Sequence, residues 1–147
     1  MSLILDLLLP TQCLFCKRLS SRVCQDCEQI IGVEPRLVFR NGFLGFASMP
    51  YNDTAKKLLR SYKELGESEL ARLMASTMAP LLDCFDQRPE LLVPMPSNRS
   101  SIRERGFNPA ELLARELTIQ LSGLSWSNLI CRARETQDQS TVSYTHL

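Results

Sequence analysis

Several features that would settle the class of this chain at once are missing. Its net charge is only +1 over 147 residues, so bulk electrostatics gives no strong pull toward nucleic acid or an anionic membrane. Any such binding must come from a local patch. There is no internal repeat and no low-complexity stretch. No apolar run approaches the roughly 20 residues that a membrane-spanning helix needs. The apolar N-terminus, Met1-Ser-Leu-Ile-Leu-Asp-Leu-Leu-Leu-Pro10, lacks a basic leader, is interrupted by Asp6 and precedes no small-residue cleavage site. It therefore reads as a short helix packed beside the adjoining cysteine-rich segment, not as a signal peptide. Histidine is almost absent: His146 is the only one, and in its polar tail it reads as solvent-exposed and non-functional. Hydrophobic residues make up 44% and charged residues 22%, the balance of a globular protein and not of a disordered one. The expected setting is the cytoplasm, with reduced thiols.

The chain does have four closely spaced cysteines, Cys13-x2-Cys16-x7-Cys24-x2-Cys27. Two such pairs read as one tetrahedral Zn²⁺ site, each turn presenting two thiolates to the other. The metal would give a short segment the fixed fold that its small core cannot supply. Disulfides are a rival that needs an oxidising compartment, and an iron–sulfur cluster also takes four thiolates. Cys84 and Cys131 are expected to be ordinary buried residues. Lys17, Arg18 and Arg22 make the knuckle partly basic, as a solvated turn or as a phosphate contact.

Further along, Leu37-Val-Phe39 and Phe43-Leu-Gly-Phe46 flank Arg40-Asn-Gly42, a hairpin signal. Ala55, Leu58, Leu59 and Tyr62 keep helical spacing over 53–65, capped by Asp53 or Thr54 and stopped by Gly66. Lys56, Lys57, Arg60 and Lys63 fill much of the opposite face, a solvated surface or a polyanion contact. A second helix is expected over 68–85, divided or kinked at Pro80. Leu91-Leu92-Val93 reads as a parallel strand covered on both faces, ended by Pro94-Met-Pro96. A loop, Ser97 to Phe107, is expected next. Asn108 and Pro109 open a third helix with Ala110, Leu113, Ala114, Leu117 and Leu121 inward. Trp126 to Ile130 is a weaker strand candidate.

Strand, polar loop, helix begins an α/β unit, whose ligands sit beyond the carboxyl ends of the strands. The loop offers Arg99, Arg103 and Arg105, with Gly106 and Asn108 close by. Guanidinium groups grip phosphate in a bidentate fork, and a helix N-terminus favours an anion by about 0.3–1 kcal/mol. This is the equipment of a phosphate or pyrophosphate site.

The order of these features carries a resemblance. A cysteine knuckle, a hairpin and the Lys-rich Leu58-Leu-Arg-Ser-Tyr-Lys-Glu-Leu-Gly66 precede Val93-Pro-Met-Pro96. Then come Arg103-x-Arg105-Gly-Phe-Asn-Pro-Ala110 and Arg132-x-Arg134-x-Thr136-x2-Gln139. The succession resembles the competence protein F (ComF) family, which includes GntX-like proteins. That family is similar to type I phosphoribosyltransferases (amidophosphoribosyltransferase-like). The resemblance implies an α/β fold: a zinc-binding module (1–35), a hairpin and two-helix connecting region (36–88), and the N-terminal part of a doubly wound parallel sheet (89–142). An atypical tail (143–147) ends the chain. The resemblance further implies Mg²⁺ with 5-phosphoribosyl 1-pyrophosphate in a complete family member. Arg99, Arg103, Arg105, Gly106 and Asn108 become the candidate pyrophosphate contacts.

Two departures bear on what the chain is expected to do. Many relatives carry a second set of paired cysteines before the hairpin where this chain has only the first four, so one metal is expected, and the acidic pair followed by Thr-Thr-Gly that holds the ribose phosphate is absent here. The expectation is an incomplete, C-terminally truncated sheet, an inactive transferase, and self-association through uncovered apolar surface. The functions in play are a phosphoribosyltransferase-like protein of DNA uptake or DNA utilisation, a single-stranded-DNA-binding module, and a zinc-stabilised adaptor of the uptake machinery without catalysis.

Overall fold

The computed structural model describes residues 11–133. The helix expected over residues 1–10 and the tail from 134 onward, His146 included, lie outside the described residues. Within them the chain forms α1 (Gln25–Ile31), β1 (Arg36–Arg40), β2 (Phe43–Ala47), α2 (Asp53–Lys63) and α3 (Leu70–Met78). A 3-10 helix (Ala79–Cys84), β3 (Leu91–Leu92), α4 (Arg99–Arg105), α5 (Pro109–Gln120) and β4 (Ser125–Trp126) complete the order. The fold is thus a mixture of helices and strands.

β1 and β2 pair in the register Arg40↔Phe43 through Arg36↔Ala47. The turn is Asn41-Gly42, with φ of 51° and 81°. Both residues take the left-handed region that a primed two-residue turn demands, which asparagine and glycine tolerate best. α2 starts at Asp53, the first residue of its expected range, but its cap differs. Asn52, not Asp53 or Thr54, is the cap, its side chain accepting from Ala55 N at 2.9 Å. Replacing Asn52 by Ala is expected to cost about 1 kcal/mol, read as a lower urea midpoint with an unchanged m-value.

Pro80 divides the long helical pattern: α3 ends at Met78, and the chain tightens into the 3-10 helix with Pro80 in its first turn. Leu81 and Leu82 remain buried there. Cys84 and Cys131 are exposed, contrary to expectation. Free cysteine is buried as a tendency of its type, but Cys84 closes the 3-10 helix and Cys131 lies in the coil after β4.

The segment from Ser97 to Phe107 holds α4 where a loop is expected. Its polarity misleads: Arg99 to Arg105 contains no glycine or proline, and arginine and glutamate are good helix formers. Gly106, at φ 87°, stops it, with its N–H bonding Ile102 O at 2.7 Å. β3 and β4 are parallel, Leu91 beside Ser125 and Leu92 beside Trp126. They are shorter than the runs at 91–93 and 126–130 promise, and Leu91 remains exposed.

One core cluster joins the knuckle to the helices. Cys13, Leu14, Val23 and Ile31 pack with Leu58, Tyr62 and Leu70, and Phe107 and Leu113 lean against them. The buried Ser61 shares this side of α2. α3 lies along α5, tied at one end by Gln120 Nε2 donating to Arg72 O at 3.0 Å. No helix of the described residues is long and apolar enough to cross a membrane.

Candidate metal centre and arginine grooves

The first cysteine turn is built by backbone bonds: Lys17 N to Cys13 O at 3.0 Å and Cys13 N to Arg18 O at 2.8 Å. Lys17 takes a left-handed φ of 66° to close it. The second pair sits at the start of α1, with Cys24 as its N-cap residue and Cys27 in its first turn. The four sulfurs lie within 4.8 Å of one another, Cys16 and Cys24 at 3.6 Å. A tetrahedral Zn²⁺ with bonds of about 2.3 Å sets its sulfurs about 3.8 Å apart, so the donor set fits such an ion. Cys13, Cys24 and Cys27 are buried and Cys16 forms the rim; all four are free thiols.

Two of the thiols, Cys13 and Cys27, are shifted in opposite directions. Burial opposes ionisation of Cys13, but N–H groups of Cys16, Cys24 and Phe15 aimed at its sulfur outweigh that and bring it down to about 6. Burial, followed by hydrogen bonding with the neighbouring sulfurs, pushes Cys27 up to about 12. Cys13, Cys16, Cys24 and Cys27 would hold a divalent ion at the centre, which would favour their deprotonated form. Around the rim, Arg18 meets Asp26 at 2.8 Å. Arg22 Nε donates to Glu67 at 2.8 Å, joining the knuckle to the turn before α3.

The arginine-rich segment comes after β3, as an α/β unit requires. Two grooves flank the Ser97–Asn98 turn. One, of about 410 Å³, is lined by Arg99, Asn98, Asn108, Glu111 and Arg132. The other, of about 440 Å³, is lined by Arg105, Ser101, Asn98, Arg132 and Lys63. Arg103 is exposed and lines neither. Arg99 and Arg105 therefore face different grooves, and Arg132 borders both, its guanidinium 3.5 Å from Pro96 O. In the sequence Arg132 stands out only as part of a motif, with no role attached; its Arg-x-Arg setting is the available signal.

The Gly-Phe-Asn-Pro residues have architectural work. Gly106 ends α4. Phe107 packs on Tyr62, ring centroids 5.5 Å apart. Asn108 Oδ1 accepts from Ala110 N at 3.2 Å and from Ser97 Oγ at 3.0 Å, so it caps α5 and holds the turn. Tyr62 donates to Pro109 O at 2.8 Å. Burial, then the charge of Glu116, raises its phenol well above the usual value, with Arg105 pulling the other way. Arg105 also donates through Nε to the carbonyl of Lys63, fastening α4 to the end of α2.

On α2, Lys56 pairs with Asp53 at 3.2 Å and Arg60 with Glu64 at 3.2 Å. Lys57 lies over the Phe15 ring, 5.5 Å from its centroid. Lys63 ends the basic stripe in the groove of Arg105.

No family model and no solved structure matches the chain. Among curated proteins it is similar to "Competence protein ComFC" of Bacillus subtilis (strain 168), 31% identical over 106 residues. That alignment takes in 69% of this chain and 43% of the relative, so the chain spans less than half the length of the curated protein it matches.

Proposed function

The chain belongs to the ComF family, by its likeness to ComFC, and from that premise we propose a competence-related role in the uptake or utilisation of DNA, in the cytoplasm. Residues 89–142 serve as the first part of a phosphoribosyltransferase-like unit, and the cysteine module of residues 1–35 holds a structural Zn²⁺. The ligand is a pyrophosphorylated ribose. The observation that carries this reading is the turn after β3, flanked on both sides by grooves that share Asn98 and Arg132. Arg99 with Arg132 on one side, and Arg105 with Lys63 on the other, would receive the negative oxygens of a diphosphate. Cations aimed at a departing pyrophosphate stabilise the charge that develops as the glycosidic bond breaks. Mg²⁺ would arrive on the donor's own phosphates, as it commonly does; Glu111 is the carboxylate lining the first groove.

Titration calorimetry with phosphoribosyl pyrophosphate and Mg²⁺ tests the reading. Saturable binding is expected, weakened about tenfold or more by Arg99→Ala or Arg132→Ala, since a lost charged hydrogen bond is worth about 1.5–3 kcal/mol. Arg103→Ala should leave it unchanged. Equal binding by all three variants would overturn the assignment.

A second reading rests on Lys63, where the basic stripe of α2 runs into the arginine groove. Single-stranded DNA laid along Lys56, Arg60 and Lys63 would place a phosphate beside Arg105. In the same calorimeter an oligothymidine would then bind with a steep salt dependence, while the phosphoribosyl donor would not compete for the outer part of that path.

A further inference from the structure

The hairpin carries chemistry that the proposed function leaves unused. Cross-strand partners Leu37↔Phe46 and Phe39↔Leu44 share one face. Arg36, Val38, Arg40 and Phe43 take the other, because successive side chains of a strand alternate. At the base of the apolar face Phe46 meets Phe85 edge-on at 4.9 Å. Beyond it Leu37, Phe39 and Leu44 are 62%, 72% and 63% exposed. Among the described residues β1 pairs with β2 along one side only, and its other edge carries backbone N–H and C=O groups that none of them covers. Such edges recruit further strands unless they are short, charged inward, or covered. This one is five residues long, and its two arginines both lie on the face away from Leu37 and Phe39.

Charge separates the occupants that could fill the edge. A second copy added through β1 and centred on Val38 sets Arg36 against the partner's Arg40 when antiparallel, and like against like when parallel and in register. Like charges directly opposite destabilise a pair. A nucleic-acid strand needs a run of rings beside the cations so that successive bases stack; of the hairpin's rings only Phe43 shares the face of Arg36 and Arg40, while Phe39 and Phe46 lie on the other. An extended peptide of suitable sequence meets neither obstacle. Among the described residues Arg36 pairs only with Glu34, 2.8 Å away in an exposed pair, and exposed pairs of this kind are worth little. Arg40 has no carboxylate partner among the described residues.

We infer that β1 is a docking edge for an extended segment of a partner protein, which adds to the hairpin as a third strand. Its apolar residues lie against Leu37 and Phe39, and its acidic residues against Arg36 and Arg40. The pattern acid–apolar–any–apolar–acid reads the same in both directions, so it fits a parallel or an antiparallel strand. Main-chain bonds to the edge give affinity and the alternate side chains give selectivity.

The probe is a fluorescent cyclised hairpin peptide that displays Glu-Val-Thr-Ile-Glu on its open edge, titrated with the full chain by anisotropy. Saturable binding is expected, with amide-exchange protection gained at Leu37 and Phe39. The Lys-Val-Thr-Ile-Lys counterpart should bind about tenfold more weakly, from the summed difference of two cross-strand charge pairs. Arg36→Glu/Arg40→Glu should invert that preference. Leu37→Thr/Phe39→Thr should abolish binding without lowering the melting temperature, since both side chains are exposed and threonine suits a strand. No binding, or equal binding of the acidic and basic peptides, overturns the inference. So does a dimer in sedimentation that Leu37→Thr/Phe39→Thr dissociates, which would hand the edge to a second copy. Displacement of the acidic peptide by oligothymidine likewise overturns it in favour of nucleic acid.

Discussion

Stripping the metal with a strong chelator is expected to abolish the cooperative melt of the whole described fold, not of the knuckle alone. The reason is the continuity of the core: Cys13, Cys24 and Cys27 belong to the same cluster as Leu58, Tyr62 and Leu70. α1, the cysteine turns and the inner face of α2 therefore have no separate interiors to fall back on. Structural zinc contributes an apparent ~10–16 kcal/mol in small modules, against a total stability of about 5–15 kcal/mol for an ordinary domain. Loss of the ion should thus exceed the margin. Cys13→Ser, at a position with no solvent exposure, should behave like chelation. Circular dichroism melts with and without chelator, beside a measured zinc content of one ion per chain, provide the check. A chelated chain that melts at the same temperature would show that packing alone holds the knuckle.

Tyr62→Ala is expected to cost about 3–5 kcal/mol, the range for deleting a large ring from a core. The side chain is fully buried and does two jobs at once. Its ring meets Phe107, and its hydroxyl holds Pro109 O at the start of α5. Tyr62→Phe keeps the ring and should cost only about 1–2 kcal/mol, the penalty for leaving that carbonyl unsatisfied. Urea unfolding of both variants separates the two contributions. Near-equal losses would place the energy in the hydroxyl, and a small loss for Tyr62→Ala would mean that α5 does not depend on this contact.

Local signals are legible in the sequence and distant ones are not. The cysteine spacing, the Asn41-Gly42 turn and the Asn108-Pro109 helix start each depend on a few adjacent residues, and each has a conformational cause that works without the rest of the chain. α4 escapes because a polar run resembles a loop, when the absence of glycine and proline before Gly106 is the better guide. The arginine cluster is half readable: composition announces it, but the fork between Arg99 and Arg105, the exposure of Arg103 and the approach of Arg132 are set by helix phase and by chain returning from β4. The fastening of Arg105 to Lys63 and the bond from Tyr62 to Pro109 span more than forty residues. No periodicity encodes contacts of that range. The burial of Ser61 and the fusion of knuckle and helices into one core belong to the same category.

α4 buries none of its residues, while Gly106 to Pro109 stop one helix, fill a hydrophobic seat and start the next. On the proposed function, ligand contact and architecture are thereby written in neighbouring stretches. Exposed positions on such a helix accept exchange at about ±0.5 kcal/mol, so Arg99 and Ser100, both exposed, can change without endangering the scaffold. Diversification of ligand preference in proteins sharing this framework should therefore concentrate at the exposed start of α4 and spare Arg105, which is fastened to the carbonyl of Lys63.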